Sequence, residues 1–453
     1  MNEIIYLSGA GTLTQPQLEL YSCRIAAYLS ARGVRIAAVI TGRSPLVYAA
    51  IRGCIIAGVC YIPADEALPE QRRRMILAEA ELVLYDGGGL SGETGAVDLR
   101  EIVNQDLPEQ AELPPLCSVR PAYRIYTSGT TGAPKGIEVS LGNVGSFLRW
   151  FMTIPAIAEI RPRSVLNQAM FSFDLSVADL YYSLFTWARL TVIERGLWQD
   201  FGGLFRRIRD SRAELAVFTP AFAELCLCDA SFSRELLPEL RVIFFCGEVL
   251  KPEVAVKLFR RFPGLRIINA YGPTECCCAV TAAEITPDMT DRALPVGEMS
   301  HTAGEVRVEN GEIVIYGESV AGYTGGLTGG FSAAADGRRC FHTGDSGCIE
   351  NGMLYFNGRL DRQVKIMGYR IEPEDIENNL LKIPGVLQAA VSVSGRGGSR
   401  SALSAEVRTD GSVTTEEIRR RLSELVPQYM LPGRITTLES LPVSANGKLK
   451  RGN

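Results

Sequence analysis

The sequence predicts an α/β protein with a large N-terminal domain of mixed, mostly parallel sheets and a small α+β C-terminal domain. Three observations predict this class. Short apolar runs such as "RIAAVITG" and "ELAVFTP" alternate with longer amphipathic segments, which is typical of strands connected through helices. Beyond residue 300, apolar and polar residues alternate around Asn-Gly turns, which indicates β-hairpins. From residue 362 onward, the order strand, helix, strand indicates a compact unit of about 90 residues.

The first 300 residues supply helices and buried strands in turn. The apolar spacing of residues 17–33 predicts a helix that ends near Gly33, a residue suited to a C-cap. A strand ("RIAAVITG"), a helix ("LVYAAIRGCIIAG") and two short strands ("VCYIPAD" and "AELVLYDG") follow. The runs "LRVIFFCGE" and "LRIINAYGP" predict further strands that end in polar loops. Because ligands bind beyond the carboxyl ends of parallel strands, we expect the functional residues in these loops.

The sequence pattern changes beyond residue 300. The stretches "GEVRVENGEIVIYGESV" and "GCIENGMLYFNGRLD" predict antiparallel hairpins. The following "QVKIMGYRIEPEDIENNLLKIPGVLQAAVSV" predicts the small α+β unit. We therefore predict a boundary near Asp361, with a core domain over residues 1–360 and a C-terminal domain over 361–453.

Composition excludes several classes of protein. The chain has 453 residues, of which 46% are hydrophobic, so it can bury sizeable cores. Its formal net charge of −4 gives no reason to expect a nucleic-acid partner. Its apolar runs are shorter than the roughly 18–20 residues of a membrane span, and its N-terminus lacks a signal-peptide pattern. Twelve irregularly spaced cysteines favour a reducing compartment, so we expect a cytoplasmic protein.

The stretch "RIYTSGTTGAPKG", residues 124–136, predicts a phosphate-binding loop. A strand runs into a turn rich in glycine and hydroxyl side chains, followed by Lys135. Glycines let backbone N–H groups turn toward an anion, hydroxyls donate further hydrogen bonds, and the lysine supplies positive charge. A Walker A loop would place Ser or Thr after Gly-Lys, and Pro134-Lys135-Gly136 does not fit that order. This is therefore a phosphate loop of another kind.

This loop resembles the signature of the adenylate-forming superfamily, which includes acyl-CoA synthetases, luciferase-like enzymes and nonribosomal-peptide adenylation domains. Further stretches match later motifs of that family in the same order: "AYGPTE" (270–275), "FHTGD" (341–345), "GRLDRQVKIMGYRIEPEDIE" (358–377) and "NGK" (446–448). The resemblance implies a β-barrel-like subdomain in the core domain and a mobile C-terminal domain. It also implies an enzyme that uses ATP and Mg²⁺ to join a carboxylate to AMP and then passes the acyl group to a thiol.

The resemblance assigns the nucleotide-binding roles. Glu275 would hold Mg²⁺, Thr274 would touch the α-phosphate, and Tyr271 would stack on adenine. Asp345 would bond the ribose hydroxyls, with Arg359 as its basic partner. The remaining phosphate- and nucleotide-binding residues are Thr127, Ser128, Gly129, Thr130, Thr131, Gly132, Lys135, Asn269, Ala270 and Gly272.

The resemblance also assigns roles to two residues, one at the domain boundary and one near the C-terminus, that depend on movement of the small domain. Lys448, in the turn "SANGK", would bridge the carboxylate and the α-phosphate during adenylation. Asp361 would be the hinge about which the small domain rotates before the thiol reacts. A catalytically inactive nucleotide-binding protein would lack residues such as Lys135, Glu275 or Lys448, and all are present.

The segment "FSFDLSVADLYYSL" predicts the class of acid that is activated. Asp174 stands where amino-acid-activating members place the carboxylate that pairs with the α-ammonium group. Because an unpaired buried carboxylate is costly, its presence predicts a cationic substrate, hence an amino acid. A fatty-acyl or aryl-acid activator of the same fold would lack this acid. The full set of substrate-binding residues implied by the resemblance is Asp174, Leu175, Ala178, Ala221, Phe244, Cys246, Ala270, Cys278 and Ala279.

The stretches "FSFDLSV" and "FFCGEVL" resemble D-alanine–carrier-protein ligases, in which a cysteine at the position of Cys246 favours the D-enantiomer. Three positions depart from that pattern, where we expect Met at Ala178, Ser near Ala221 and an aliphatic residue at Cys278. D-alanine is the leading substrate, with L-alanine, glycine, serine and 2-aminobutyrate open. Because the chain ends soon after "NGKLKR", we expect the acceptor to be the phosphopantetheine arm of a separate carrier protein, with coenzyme A as the alternative.

The stretch "YGPTECCCAVT" places three cysteines side by side. On an extended strand, successive side chains point to opposite faces, so Cys276, Cys277 and Cys278 would not share one metal ion. We therefore expect Cys278 to form the wall of the amino-acid pocket opposite Cys246. Cys276 and Cys277 are expected to be packing residues.

Overall fold

The computed structural model describes residues 3–87, 95–110, 119–129, 132–326, 329–394 and 402–441. The strands are β1 (Ile4–Ser8), β2 (Gly11–Thr14), β3 (Ile36–Ile40), β4 (Cys60–Ala64), β5 (Leu82–Tyr85), β6 (Ala96–Asp98), β7 (Pro121–Thr127), β8 (Lys135–Ser140), β9 (Ser164–Asn167), β10 (Arg189–Val192), β11 (Leu215–Phe218), β12 (Val242–Phe245), β13 (Arg266–Tyr271), β14 (Thr281–Ile285), β15 (Gly297–Glu298), β16 (Glu305–Glu309), β17 (Glu312–Tyr316), β18 (Gly322–Tyr323), β19 (Phe331–Ala333), β20 (Arg339–Glu350), β21 (Met353–Arg359), β22 (Val364–Ile366), β23 (Tyr369–Ile371), β24 (Val386–Ser394), β25 (Ala402–Thr409) and β26 (Arg434–Thr437).

The α-helices are α1 (Gln15–Ala31), α2 (Pro45–Ala57), α3 (Glu70–Leu77), α4 (Leu99–Val103), α5 (Leu141–Thr153), α6 (Pro155–Ile160), α7 (Ser176–Thr186), α8 (Phe201–Ser211), α9 (Pro220–Cys226), α10 (Pro252–Arg261), α11 (Pro373–Leu381) and α12 (Thr415–Ser423). Capping residues determine where these helices begin and end, as α2 illustrates. The Ser44 hydroxyl caps α2 by accepting from the Leu46 N–H, and Pro45 occupies the first turn. The helix ends at Gly58, whose φ of 69° suits a residue without a side chain.

Two large sheets form most of the molecule. The eight-stranded sheet has the order β14-β13-β12-β11-β9-β10-β1-β2, and the strands from β13 to β1 are parallel. The seven-stranded sheet has the order β18-β8-β7-β4-β3-β5-β6, and its strands from β7 to β6 are parallel. Antiparallel strands lie at the edges of both sheets. The prediction of mixed, mostly parallel sheets is confirmed.

The central strands are buried on both faces. On β11, Val217 packs among the helices between the two large sheets, whereas Ala216 and Phe218 pack on the outer face, against α8, α9 and α10. The side chains of a strand alternate between its two faces, so each face here enters a different core. This double burial explains why these strands appear in the sequence as unbroken apolar runs.

A six-stranded, mainly antiparallel sheet follows in the chain, in the order β15-β21-β20-β17-β16, with β19 paired to β20. It contains the part of the chain for which antiparallel hairpins are predicted. Both predicted hairpins are present, and their turns use Asn-Gly pairs at 310–311 and 351–352 with positive φ at every position. Such turns match the right-handed twist of the flanking strands.

The C-terminal part has a core of its own. Strands β24, β25 and β26 form a three-stranded sheet, and with α11 and α12 they enclose a cluster that includes Ile376, Val391 and Leu422. This separate cluster supports the boundary that we propose between residues 360 and 361. Strands β22 and β23 form a hairpin that reaches from this part toward the large sheets. Among the residues that the structure describes, no helix combines the length and the apolar character that crossing a bilayer requires.

Candidate active site

A cavity lies where the loops after the parallel strands face the six-stranded sheet and the β22–β23 hairpin. Its position at the carboxyl ends of β9, β12 and β13 is the one expected for a ligand site in such a sheet. The predicted site residues that line it are Thr127, Ser128, Asp174, Leu175, Cys246, Gly272, Thr274, Cys278, Asp345 and Arg359.

Other predicted site residues lie behind this lining or beside it. Phe244, Ala178 and Ala279 are fully buried, and the Phe244 ring packs edge-on against Phe151. The rest of this group is Gly129, Gly132, Lys135, Ala221, Asn269, Ala270, Tyr271, Glu275 and Asp361. Thr130, Thr131 and Lys448 lie outside the described residues.

On the nucleotide side of the cavity, Asp345 is held by two neighbours. The Tyr271 hydroxyl donates to its Oδ2 at 2.6 Å, and Arg359 Nη1 donates to its Oδ1 at 2.6 Å. Arg359 also donates to the Thr343 carbonyl and pairs with Asp361. The register of β20 and β21, which places Asp345 opposite Arg359, brings this acid and base together. A carboxylate fixed in this way can accept further hydrogen bonds from ligand hydroxyl groups.

The phosphate loop enters the cavity at the end of β7. Thr127 Oγ1 is buried there and has no hydrogen-bond partner among the described residues, and the same is true of Ser172 Oγ. Ser128 is bonded to the small domain, since its hydroxyl donates to the Arg370 carbonyl at 3.0 Å and accepts from the Glu372 N–H. Buried hydroxyls without partners cost free energy unless a ligand satisfies them. The loop therefore fits a ligand with several acceptor oxygens, such as a triphosphate.

Glu275, the predicted magnesium ligand, is fully buried and carries an ion pair in this arrangement. Arg370 Nη1 donates to both carboxylate oxygens at 2.8 Å, and the Tyr323 hydroxyl donates to Oε1 at 2.8 Å. Burial opposes ionisation, but the Arg370 guanidinium and the Tyr323 hydroxyl outweigh it and hold the pKa of Glu275 below its ordinary value. A single ionised carboxylate fits Mg²⁺, which is commonly bound through one or two carboxylates together with substrate phosphates.

Asp174 lines the same cavity, in the turn that leads into α7. The Thr274 hydroxyl donates to its Oδ2. Burial raises the pKa of Asp174, and the hydrogen bond from Thr274 and the nearby Lys365 ammonium only partly offset that effect. A carboxylate in such surroundings stays ionised most readily when a cation binds beside it. The geometry therefore provides a place for a ligand ammonium group.

The hairpin contributes two cations to which the sequence motifs assign no role. Lys365 and Arg370 are directly opposite each other on β22 and β23, so their side chains share the face that lines the cavity. Like charges at such positions are destabilising unless acids compensate them. Arg370 pairs with Glu275, and Lys365 lies near Asp174. The sequence "QVKIMGYRIE" did contain a signal for this role, namely two charged residues on one face of a short apolar hairpin.

The three cysteines are distributed as expected, but for a different backbone reason. Residues 274–276 form a 3₁₀ turn, and Cys277 and Cys278 have φ values of 61° and 83°, so the prediction of an extended strand is wrong. Cys276 and Cys277 are fully buried in two different core clusters. Cys278 lines the cavity, and the Cys246 thiol contacts its carbonyl oxygen at 3.7 Å. The turn, rather than strand alternation, separates the three side chains.

The contact between the two cysteines shifts their pKa values in opposite directions, and it lowers the pKa of Cys246. The contact with Cys246, together with burial, raises the pKa of Cys278 far above its ordinary value. Within the described ranges no cysteine forms a disulfide, and no group of three or more His, Cys, Asp or Glu side chains is placed to hold a metal ion. Cys278 therefore contributes a small, neutral thiol to the wall of the cavity.

The fold and the cavity define a class. Residues 2–323 match the family model described as AMP-binding enzyme, and the chain belongs to that family, as the ordered motifs predicted. Among curated proteins, the chain is 37% identical over 436 residues to the D-alanine–D-alanyl carrier protein ligase of Bacillus mycoides (strain KBAB4), covering 88% of this chain and 84% of the relative. It is 36% identical over 445 residues to the ligase of the same name from Bacillus cytotoxicus, with the same coverage.

Solved structures share the fold. The Vibrio cholerae adenylation domain AlmE, in complex with glycyl-adenosine-5′-phosphate, superposes with a TM-score of 0.83 at 23% identity, covering 99% of this chain and 93% of that one. The o-succinylbenzoate CoA synthetase MenE from Bacillus subtilis gives a TM-score of 0.81 at 21% identity, with coverage of 99% and 95%. At these identities the likeness extends to the fold alone.

Proposed function

We propose that this protein activates D-alanine with ATP as an aminoacyl-adenylate and then transfers the aminoacyl group to the phosphopantetheine thiol of a separate carrier protein. The observation that carries the proposal is Asp174, an enclosed carboxylate that faces the cavity without a cation in hydrogen-bond contact. Its chemistry calls for an ammonium group, which separates amino-acid activation from the activation of fatty or aryl acids. The names of the curated relatives support D-alanine and the carrier protein.

In the first half-reaction, a carboxylate oxygen of the amino acid attacks the α-phosphorus of ATP, and pyrophosphate leaves. Asp174 would hold the α-ammonium group, and Thr274, which already contacts Asp174, would lie next to the reacting carboxylate and the α-phosphate. Asp345 would fix the ribose, and the 127–135 loop would bind the terminal phosphates. Lys448 would stabilise the charge of the transition state. Mg²⁺ held by Glu275 would neutralise charge on the triphosphate and the leaving pyrophosphate.

In the second half-reaction, the acceptor sulfur forms a bond to the carbonyl carbon of the adenylate. The bond to the phosphate oxygen breaks, AMP leaves with its electron pair, and the thiol proton is lost. In the present arrangement the β22–β23 hairpin closes the cavity. Its Arg370 forms an ion pair with the Glu275 carboxylate, which is then not available to a metal ion. We therefore assign this arrangement to the stage after pyrophosphate has left.

The cavity wall near Asp174 suits a small side chain. Leu175, Cys246 and Cys278 line it, and the fully buried Ala178 lies behind. Leu175 and the two thiols suit the methyl group of alanine, and the unpartnered Ser172 Oγ in the same cavity leaves serine as an alternative substrate. A difference of one methylene changes discrimination by only about 1–3 kcal/mol, so glycine and 2-aminobutyrate are expected as weaker substrates.

ATP–pyrophosphate exchange with a panel of D- and L-amino acids tests the proposal. We expect D-alanine to give the highest kcat/KM. Exchange with another small amino acid in first place would keep the class of enzyme and change the substrate. Turnover of a fatty or aryl acid, with no exchange for any amino acid, would refute the role of Asp174 and favour an acyl-CoA ligase.

Replacing Cys246 tests the origin of stereochemical preference. Cys246→Ala removes the thiol that contacts the Cys278 carbonyl and opens space beside the Cα substituent. We expect the ratio of kcat/KM for D- over L-alanine to fall by about 5- to 50-fold, within the discrimination of one small group. The buried Cys226→Ala, which lies in the outer core cluster, is the matched control and should leave the ratio unchanged. An unchanged ratio in Cys246→Ala would assign that residue to packing.

The raised pKa of Asp174 predicts a pH dependence. A protonated carboxyl group cannot pair with the substrate ammonium, and protonation begins at a higher pH than for an ordinary aspartate. We expect kcat/KM for the amino acid to fall as the pH decreases through this raised pKa, while binding of AMP changes little. The pH profile of kcat/KM reports ionisations of the free enzyme and is the appropriate measurement. A profile that follows only an unshifted aspartate would contradict the prediction.

A further inference from the structure

A second, narrow cavity continues from the candidate active site toward the protein surface. It shares Phe173, Asp174 and Gly368 with the first cavity. It is also lined by Met367, which is 45% exposed. The two cavities together therefore connect solvent with the carboxylate of Asp174. A ligand that enters from this side passes between the tip of the β22–β23 hairpin and the loops of the eight-stranded sheet.

The walls of this passage are narrow and mainly apolar. Met170, Phe173 and Tyr369 line it, and Gly368 approaches Thr219 so closely that an added Cβ would lie 2.7 Å from the Thr219 Cγ2. A passage of this kind admits a thin, unbranched aliphatic chain better than a bulky group. It also offers few polar partners to the amide groups of such a chain.

Trp198 contributes a polar group, its indole N–H, to this mainly apolar passage. It lines the cavity, and its ring packs against Phe222 at a centroid distance of 5.7 Å. Its indole nitrogen is buried and has no hydrogen-bond partner in the described part of the chain. An indole N–H is a donor only, so a carbonyl oxygen is the group that would satisfy it.

Arg195 lies on the same face as Trp198. Both belong to the 3₁₀ helix Arg195–Gln199, in which side chains three residues apart eclipse each other. Arg195 is one-third exposed, and its ion pair with Asp65 is loose, at 3.9 Å. Its charge also acts on Tyr369, which lines the passage. A cation is therefore available one helical turn from the unpaired indole N–H and close enough to Tyr369 to act on it.

We propose that Trp198 and Arg195 recognise the acceptor arm, with the Trp198 indole N–H donating to an amide carbonyl and Arg195 binding the phosphate. Phosphopantetheine has the matching order of groups: a phosphate at one end, amides along a thin chain and a thiol at the other end. This assignment rests on the proposed thiol acceptor and adds two positioning residues to it. The thiol end would then reach the cavity that contains Asp174.

The test uses pantetheine and 4′-phosphopantetheine as acceptors, with AMP release from the preformed aminoacyl-adenylate as the readout. Trp198→Phe keeps the packing against Phe222 and removes the donor. We expect it to raise the KM for both acceptors about 3- to 10-fold, the range of one neutral hydrogen bond, with kcat and ATP–pyrophosphate exchange unchanged. Arg195→Gln should raise the KM for phosphopantetheine by a similar factor and leave that for pantetheine unchanged.

Two variants serve as matched controls. Trp187→Phe changes a half-buried tryptophan that lines a different cavity, and Arg163→Gln changes an exposed arginine beside it. Both should behave as the unsubstituted protein does. An unchanged KM in Trp198→Phe, or equal losses in exchange and in thiol transfer, would overturn the assignment. Absence of thiol transfer in the unsubstituted protein, with exchange intact, would instead refute the thiol acceptor of the proposed function.

The chain contains three tryptophans, which permits a direct binding measurement. In a variant with Trp150→Phe and Trp187→Phe, Trp198 is the remaining indole, and its emission should shift as pantetheine is added. A shift that saturates supports contact between Trp198 and the arm. An emission spectrum unaffected by pantetheine, in a protein that still turns it over, would place the arm elsewhere.

Discussion

Asp174→Asn is expected to abolish most amino-acid activation, with kcat/KM reduced roughly 30- to 5,000-fold. This range corresponds to the loss of about 2–5 kcal/mol that follows when one partner of an enclosed charge pair is removed. Asparagine has nearly the same shape and can still accept from the Thr274 hydroxyl, so the loss would report the missing charge. The measurement is ATP–pyrophosphate exchange with D-alanine. Binding of AMP, measured separately, should be retained.

Asp179→Asn is the matched control for this substitution. Asp179 is a buried carboxylate five residues further on, but it accepts two hydrogen bonds from Asn167 and does not line the cavity. We expect this control to lower the melting temperature while leaving the KM for the amino acid nearly unchanged. Equal losses of exchange in both variants would mean that Asp174 acts through stability, and the proposed recognition of an ammonium group would be wrong.

Arg370→Ala is expected to separate the two half-reactions. Removal of one partner from a buried ion pair costs about 3–5 kcal/mol, because the Glu275 carboxylate is then left buried and unpaired whenever the hairpin is inserted. The inserted arrangement should therefore become less populated, and thioester formation should slow by a factor on the order of 10². Exchange of pyrophosphate should remain within a few fold, because it uses Glu275 without Arg370.

Arg362→Ala is the appropriate comparison. Arg362 pairs with Glu374 and Glu377, which all belong to the C-terminal part, so its ion pairs do not join that part to the large sheets. We expect both half-reactions to be affected equally, through stability. If Arg370→Ala slows exchange as strongly as thiol transfer, the inserted hairpin is not a separate stage of the reaction. Single-turnover measurements of AMP release distinguish these results.

Part of the site could be predicted because its residues lie in short loops that directly follow apolar strands. Asp174, Cys246 and Thr274 are examples, and all three line the cavity. Parallel strands end at the same edge of a sheet, so the position of each residue after its strand indicates which others lie nearby. The residues behind the lining, such as Phe244 and Ala178, were harder to place because a pattern of apolar residues does not distinguish a pocket wall from the core behind it.

Contacts between distant segments could not be predicted in this way. Arg370 and Glu275 are 95 residues apart, and their ion pair depends on how the C-terminal part packs against the large sheets. The left-handed backbone at Cys277 and Cys278 was also missed, because such conformations are rare for residues other than glycine and cysteine gives no local signal for them. The unpaired indole N–H of Trp198 is likewise visible only once its surroundings are known.

The amino-acid order alone was sufficient for the α/β class, the family and the loops that carry the chemistry of "YTSGTTG", "FDLS" and "YGPTE". Periodicity and short motifs encode these features, because they depend on neighbours within a few residues along the chain. The charge pairing across the cavity, the inserted hairpin and the passage beside Trp198 required the three-dimensional arrangement. They arise from packing between segments far apart in the chain, where burial sets which charges must be neutralised and which donors remain unpaired.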